Sequence, residues 1–288
     1  MNIGHTGITW GIPGDVAQAY HDVADLGYQG FETFTQTILT WNGHPSGYQA
    51  LVSECGIPTV AGYCHKRWID PAHQASDLDA ARQEAAALAA IGGHTLVVQA
   101  GPRSSPPYSL TQFRTLAYFL NELGRACADL NLRCGIHPHT GTAIETRSEI
   151  DAIMELLDPR YVGFAPDTGQ IAKGGSDILE VLRTYHTRLT HVHLKDWNGQ
   201  RPLDAHGYEI DLSGYVNYMP IGLGILPMRE ILDFLDATHF TGWINVELDG
   251  TPRAPRPPRE AALLSREYLA AILGSRSPWS STPPGAVS

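Results

Sequence analysis

Short apolar runs alternate with amphipathic stretches along most of the chain, and this alternation sets the expected elements. Residues 2–9 lean to extended structure until Gly11 interrupts them. Val16, Ala19, Tyr20, Val23 and Leu26 then recur at helical spacing, with Gly27 as a stop. Further strands are expected at 30–34, 58–63, 95–100, 134–137, 162–165, 189–194 and 243–248. Helices are expected at 47–55, 77–91, 110–130, from Thr146 onward, and at 178–184, 228–235 and 260–273. Ser76 reads as the N-cap of the 77–91 helix, with Asp79 three residues on and Gly92-Gly93 as its stop. Thr146 and Glu149 have the spacing of a capping box.

Eight short apolar strands, each followed by a helix, form the pattern of an α/β protein of the (β/α)8 TIM barrel class. The strands read as continuous apolar runs, as expected when both faces are buried. A doubly wound open sheet is the rival. It is disfavoured because no glycine-rich loop follows the first strand, and Gly222-Leu-Gly224 stands far along the chain ahead of a helix. Residues 1–274 are expected to be one barrel domain, with a polar insertion at 197–224 long enough to act as a lid or subunit contact. The Ser- and Pro-rich stretch 275–288 is expected to be a disordered tail.

Composition narrows the function more than the fold. The chain has 43% hydrophobic and 17% charged residues, within the range of an ordinary globular protein, and a net charge of −10. That acidity argues against nucleic acid as a partner, since phosphate-backbone binding needs a basic surface. No apolar run approaches a membrane span, and Met1–His5 lacks a basic stretch leading into an apolar core. A cytoplasmic protein is therefore expected. Its four cysteines show no CxxC spacing and read as free thiols.

In a parallel barrel the active site lies at the C-terminal strand ends, so chemistry-bearing residues should collect there. Glu32, His137, Asp167, His193 and Glu247 all fall at such ends. A carboxylate-rich set with one or two imidazoles suits a divalent metal: Mn²⁺ is favoured, with Mg²⁺, Co²⁺ or Zn²⁺ as alternatives. Glu247 sits in an otherwise apolar strand, where an unpaired charge would cost several kcal/mol. For the fifth-strand ligand, Glu145 is favoured because it would also serve as a base; His137 is the alternative, and both could reach the metal. Lys195 either contacts substrate or is a surface charge. His139, His191, His5 and His65 read as supporting or substrate-facing groups. Trp10, Trp68 and Trp197 could line a pocket wall, although core packing is the commoner role for each.

Five motifs carry a resemblance. They are His137-Pro-His-Thr-Gly-Thr142 with Glu145, Pro166-Asp-Thr-Gly169, His191-Val-His-Leu-Lys-Asp196, Gly242-Trp-Ile-Asn-Val-Glu247, and Gly27-Tyr-Gln-Gly-Phe-Glu32. Together, over residues 1–273, the chain resembles the xylose isomerase-like barrels of sugar-phosphate isomerases and epimerases, within the branch of inosose (2-keto-myo-inositol) dehydratases. Two departures from the wider family stand out. Gln170 replaces a histidine in the usual Asp-Thr-Gly-His, and His137 stands where many epimerases carry a glutamate; the second is shared with the dehydratase branch.

The resemblance implies a metal-dependent isomerase or epimerase acting on a keto-sugar or keto-inositol through an enediolate, or a dehydratase lyase eliminating water from the same species. Glu145 or Glu247 would take the proton, and His137, His139, His191 or Lys195 would return it. Glu32, Gln170, His191 and Trp10 would contact substrate. The partner is then a small molecule, with a homo-oligomer as the common assembly of such barrels. An endonuclease-type barrel is disfavoured by the acidity and the scarcity of arginine at the site. A barrel kept only for binding is the remaining alternative.

Overall fold

Eight parallel strands wind around a common axis in the computed structural model, which describes residues 1–12, 14–41, 47–104 and 106–280. They are β1 (Asn2–Thr6), β2 (Phe31–Phe34), β3 (Thr59–His65), β4 (Thr95–Gln99), β5 (Arg133–His137), β6 (Val162–Phe164), β7 (His191–Leu194) and β10 (Trp243–Val246). Strand order runs β6-β5-β4-β3-β2-β1-β10-β7. β7 then meets β6 through Thr190 N to Phe164 O and His193 N to Pro166 O, both 2.9 Å, so the sheet closes into a barrel. Closure brings Thr190 against β5: a Cβ on Gly135 would stand 2.3 Å from Thr190 Oγ1, so that strand position needs glycine.

Helices cover the outside. They are α1 (Val16–Asp25), α2 (Thr35–Trp41), α3 (Gly47–Cys55), α4 (Gln74–Ala90), α5 (Leu110–Asp129), α6 (Arg147–Leu156), α7 (Thr168–Lys173), α8 (Ile178–Tyr185), α9 (Met228–Ala237) and α10 (Pro258–Leu273). Their buried faces form one continuous core with the outward side chains of the strands, including Leu88, Leu116, Leu120, Ile153, Leu182, Leu232 and Leu269. Among the described residues, no helix is long and apolar enough to cross a membrane.

The fold matches the sequence reading in class and differs in detail. α2 and α7 were not anticipated; each is under two turns, too short for periodicity to register. α4 begins at Gln74, before Ser76, so Ser76 is inside the first turn and donates to His73 O. The expected capping role is displaced because Gln74 Nε2 anchors to Trp68 O and Asp77 accepts from the Arg67 N–H. Residues 197–224 hold a small ribbon of β8 (Asp196–Trp197) against β9 (Tyr218–Met219). The Asp196 carboxylate gathers this segment by accepting from the N–H groups of Trp197, Gly222, Gly224 and Leu226. Of the expected tail, 275–280 belongs to the fold: Trp279 is buried and donates to Gly27 O at 2.7 Å. Residues 281–288 lie outside the described residues. All four cysteines are unpaired.

Glu149 fastens the entry to α6. Its carboxylate accepts from Thr146 N and Glu145 N at 2.9 and 3.0 Å, and Arg103 grips both of its oxygens at 2.7 and 3.0 Å. Burial alone would raise this carboxyl, but Arg103 and the backbone N–H groups hold it below its ordinary 4.5. A depressed carboxyl stabilises the fold above its unfolded pKa and loses that contribution as pH falls through the folded value. Glu149→Gln is therefore expected to lose about 1–3 kcal/mol at pH 7. The melting-temperature gap to the parent should narrow below about pH 4.5. A gap that is absent at pH 7, or that widens in acid, would contradict the assignment.

Candidate active site

Glu32 is the second residue of β2, not its end as expected, and is buried beneath the barrel mouth. Three donors converge on it: His191 Nε2 at 3.0 Å, His193 Nε2 at 2.9 and 3.0 Å, and Asn245 Nδ2 at 2.7 Å. Burial would raise its pKa, but the charges of His193 and His191 draw it below the ordinary carboxylate range. Because Glu32 takes the Nε2–H of His193, the Nδ1 atom of that ring is directed at the opposite side. There it stands 2.9 Å from Glu247 Oε2, and the Glu247 and Glu32 carboxylates raise the pKa of this ring well above its ordinary value despite burial.

Three buried atoms around that point have no hydrogen-bond partner: His193 Nδ1, His137 Nε2 and Asp167 Oδ2. His137 Nδ1 is tied to Ala165 O at 3.0 Å, which aims Nε2 inward. Asp167 Oδ1 caps α7 by accepting from Gln170 N at 2.8 Å, and its Oδ2, 3.3 Å from Lys195 Nζ, makes no hydrogen bond. His137, Asp167 and His193 offer ligand atoms within 4.8 Å of one another, and Glu247 adds a carboxylate beside them. Buried polar atoms are rarely left without hydrogen bonds, so this set of two imidazoles and two carboxylates has the donor chemistry to hold a divalent cation. Glu32, His191 and His193 form a second grouping of similar spacing. There the facing Glu32, His191 Nε2 and His193 Nε2 atoms already satisfy one another, so it suits a support better than a metal site.

Lys195 is buried beside this set, 2.7 Å from Glu247 Oε1, 3.0 Å from Asp249 Oδ2 and 3.3 Å from Asp167 Oδ2. Desolvation would lower its pKa, but the carboxylates of Asp167, Asp249 and Glu247 raise it well above the ordinary value. In return, His193 and Lys195 hold Glu247 well below its ordinary value despite burial. Burial pushes Asp167 up to about 6 against the pull of Lys195. The Asp-Thr-Gly motif builds this contact. Thr168 Oγ1 donates to Lys195 O at 2.6 Å and accepts from Lys195 N at 2.9 Å. A Cβ on Gly169 would meet Lys195 Cγ at 2.8 Å, so glycine lets the lysine stem pass.

Above the cluster opens a cavity of about 550 Å³, with Glu247, Asp249, Glu32, Gln170 and His139 among its walls. Gln170 Oε1 accepts from Thr140 N and Thr140 Oγ1, so its amide nitrogen faces His139 Nε2 at 2.8 Å and donates to it. The His139 proton is then on Nδ1, directed at Thr140 O. Burial, with Lys195 adding, keeps this ring's pKa low. Gln170 thereby occupies the Nε2 atom of His139.

The structure does not bring every expected residue to the site. Glu145, favoured from sequence as the fifth-strand ligand, is bound by Arg201 Nη1 at 2.7 Å and Gly141 N at 2.8 Å, outside the cavity wall. His137 supplies the fifth-strand imidazole instead. His191 is beneath the cluster, on Glu32. Trp10 donates to Asp22 at 2.8 Å and faces a neighbouring surface cavity. Lys195 has no exposed side chain, so the surface-charge alternative does not hold. His65 lines the cavity, His5 is buried with its pKa lowered to about 4, and Trp68 is core.

Sequence reasoning missed Tyr63, Lys173, Glu209 and Tyr218, all on the cavity wall. Lys173 and Lys195 flank the Tyr218 ring, 4.3 and 4.5 Å from its centre, and Lys173 is paired with Glu209. Glu209 and Tyr218 come from the 197–224 insertion, which carries no strand-end signal.

A closed parallel barrel with a carboxylate–imidazole cluster at its C-terminal mouth defines the class. The family model described as xylose isomerase-like TIM barrel matches residues 20–272, and the chain belongs to that family. An inosose dehydratase of Geobacillus thermodenitrificans (strain NG80-2) is 33% identical over 175 residues, which cover 59% of this chain and 57% of that protein. The chain thus aligns with little over half the length of that relative. Among solved structures, the apo form of 3-keto-D-glucoside 4-epimerase, YcjR, from E. coli superposes with a TM-score of 0.70 at 19% identity, covering 94% of this chain and 99% of that one. The IOLI protein with a bound zinc atom gives 0.74 at 14% identity, covering 96% and 99%. These likenesses bear out the barrel and the resemblance read from the motifs; at such identity the solved structures speak for the fold alone.

His137→Ala is expected to lose at least tenfold in affinity for Mn²⁺ or Zn²⁺, whereas Glu145→Gln keeps the parent's value, with equilibrium dialysis and elemental analysis as the measurement. The reverse pattern would return the fifth-strand ligand to Glu145.

Proposed function

We propose that this chain is a divalent-metal-dependent enzyme that removes the proton next to the carbonyl of a keto-polyol or keto-sugar and then expels a β-hydroxyl as water. The observation that carries this reading is the grouping of His137, Asp167 and His193, whose ligand-type atoms lie within 4.8 Å of one another, with Glu247 Oε2 2.9 Å from His193 Nδ1. His137, Asp167, His193 and Glu247 would hold the cation, with Mn²⁺ favoured and Mg²⁺, Co²⁺ or Zn²⁺ fitting the same donors. When bound, it supplies Lewis-acid stabilisation of negative charge on the substrate carbonyl oxygen.

The residues themselves do the rest. Glu247 lines the cavity and is held ionised by His193 and Lys195, so it is the base for the carbon-bound proton. Lys195, buried behind the cavity wall and pinned among Glu247, Asp249 and Asp167, is the proposed proton source for the departing hydroxyl. Glu32 orients His193. Elimination needs one base and one acid, whereas epimerisation through a two-base relay needs a second base on the facing wall. The candidates for that role are engaged elsewhere: Glu145 with Arg201, and His139 Nε2 with Gln170. This favours a dehydratase over the isomerase or epimerase reading, and the inosose dehydratase relatives agree with it.

Incubation of metal-loaded protein with 2-keto-myo-inositol in deuterated water tests the proposal. The expected outcome is growth of the absorbance of the 2-hydroxy-enone tautomer of the 1,2-dione product, with Glu247→Gln slowed about a hundredfold or more while folding normally. Deuterium incorporation without water loss would make the enzyme an isomerase or epimerase. A fully active Glu247→Gln would remove the proposed base.

A further inference from the structure

The polar side chains around the catalytic cavity fall into two groups. On one wall they are matched to one another: Gln170 with Thr140 and His139, and Lys173 with Glu209 and Val216 O. Glu247 and Asp249 are matched as well, by Lys195. A different wall is built from the ends of β3 and β4, where Tyr63, His65 and Gln99 line the same cavity. The backbone carbonyls of Tyr63 and Gln99 are taken, by Thr35 Oγ1 and Trp68 Nε1. Their phenol and amide, and the His65 imidazole, have no hydrogen-bond partner among the described residues. Strand register sets these three beside the candidate metal cluster. His65 pairs with Gln99 across β3 and β4, and Gln99 pairs with His137 across β4 and β5. The Tyr63 ring stands edge-on to His137 at 5.3 Å and to Phe34 at 5.6 Å, which holds its phenol in place.

A phenol, an amide and an imidazole are uncharged groups that both donate and accept, which is the complement of alcohol hydroxyls. Covered by an apolar group they would lose water and gain nothing in return. We infer that Tyr63, His65 and Gln99 form a subsite that reads hydroxyls on the non-reacting carbons, so that the substrate class is a keto-polyol hydroxylated beyond the two carbons that lose the proton and the water. The inference rests on the proposed function, which sets the carbonyl over Glu247 and turns the remaining carbons towards this wall. On the matched wall a hydroxyl would have to break an existing pair before it could bind. Discrimination among ketones therefore falls to the ends of β3 and β4.

The test compares 2-keto-myo-inositol with 2,3-dihydroxycyclohexanone on the metal-loaded protein. The second ketone keeps the carbonyl, the acidic carbon and the β-hydroxyl, and has no hydroxyl on the other three carbons. The polyhydroxylated ketone is expected to have a kcat/KM about a hundredfold higher or more. Tyr63→Phe and Gln99→Leu are each expected to cut that ratio about tenfold at unchanged metal content. A ratio that both variants leave unmoved, including equal losses on the two ketones, overturns the subsite. Turnover of both ketones by the parent without preference sinks the subsite and leaves the proposed function standing. Calorimetry with myo-inositol, which has no carbonyl to react, keeps the two readings apart. Binding that weakens about tenfold in the variants, without turnover of either ketone, supports the subsite and counts against the proposed chemistry.

Discussion

Charge buried at the barrel mouth has to be compensated within a few ångströms, and the arrangement of the site follows from that requirement. Lys195 has no exposed side chain and is surrounded by Asp167, Glu247 and Asp249. Three carboxylates against one ammonium leave two negative charges, the complement of a divalent cation. Glu32 is neutralised separately by two imidazoles and an amide, in a layer below. The atoms of Glu32, His191 Nε2 and His193 Nε2 that face one another are bonded to each other, whereas His137 Nε2 and Asp167 Oδ2 lack a hydrogen bond. This difference, more than the count of ligand-type residues, separates a metal centre from its support.

The scaffold serves this division. Parallel strands bring His137, His193 and Glu247 to neighbouring ends from distant parts of the chain, and the short α7 lets Asp167 cap a helix with one oxygen while the other faces Lys195. The insertion then closes the side of the cavity. Val216 adopts a left-handed φ of +56°, costly for a β-branched residue, and its carbonyl accepts from Lys173 at 3.0 Å. Local strain is accepted where it orients a buried lysine against the cavity wall.

Much of this was legible in the chain. Strand ends could be read from apolar runs closed by His, Asp or Glu, because burial on both faces leaves no other reason for such residues there. The barrel followed from the same runs. What stayed hidden depends on contacts between distant segments. Glu145 looked like a ligand because it follows His137 closely, and nothing local signals that Arg201 claims it. Lys173, Glu209 and Tyr218 meet only after the insertion folds back. Trp279 lies in a stretch of Ser and Pro that reads as a tail, yet its ring packs edge-on against Tyr28. The role of Gln170 could be flagged as a departure, but not the tautomer it imposes on His139.

Anomalous diffraction from crystals of the Mn²⁺- or Zn²⁺-loaded protein tests the central claim most directly. The account predicts a single strong peak bounded by His137 Nε2, Asp167 Oδ2, His193 Nδ1 and Glu247, at about 2.0–2.2 Å from each donor for zinc. A peak between Glu32 and His191, or one against Glu145, would contradict it.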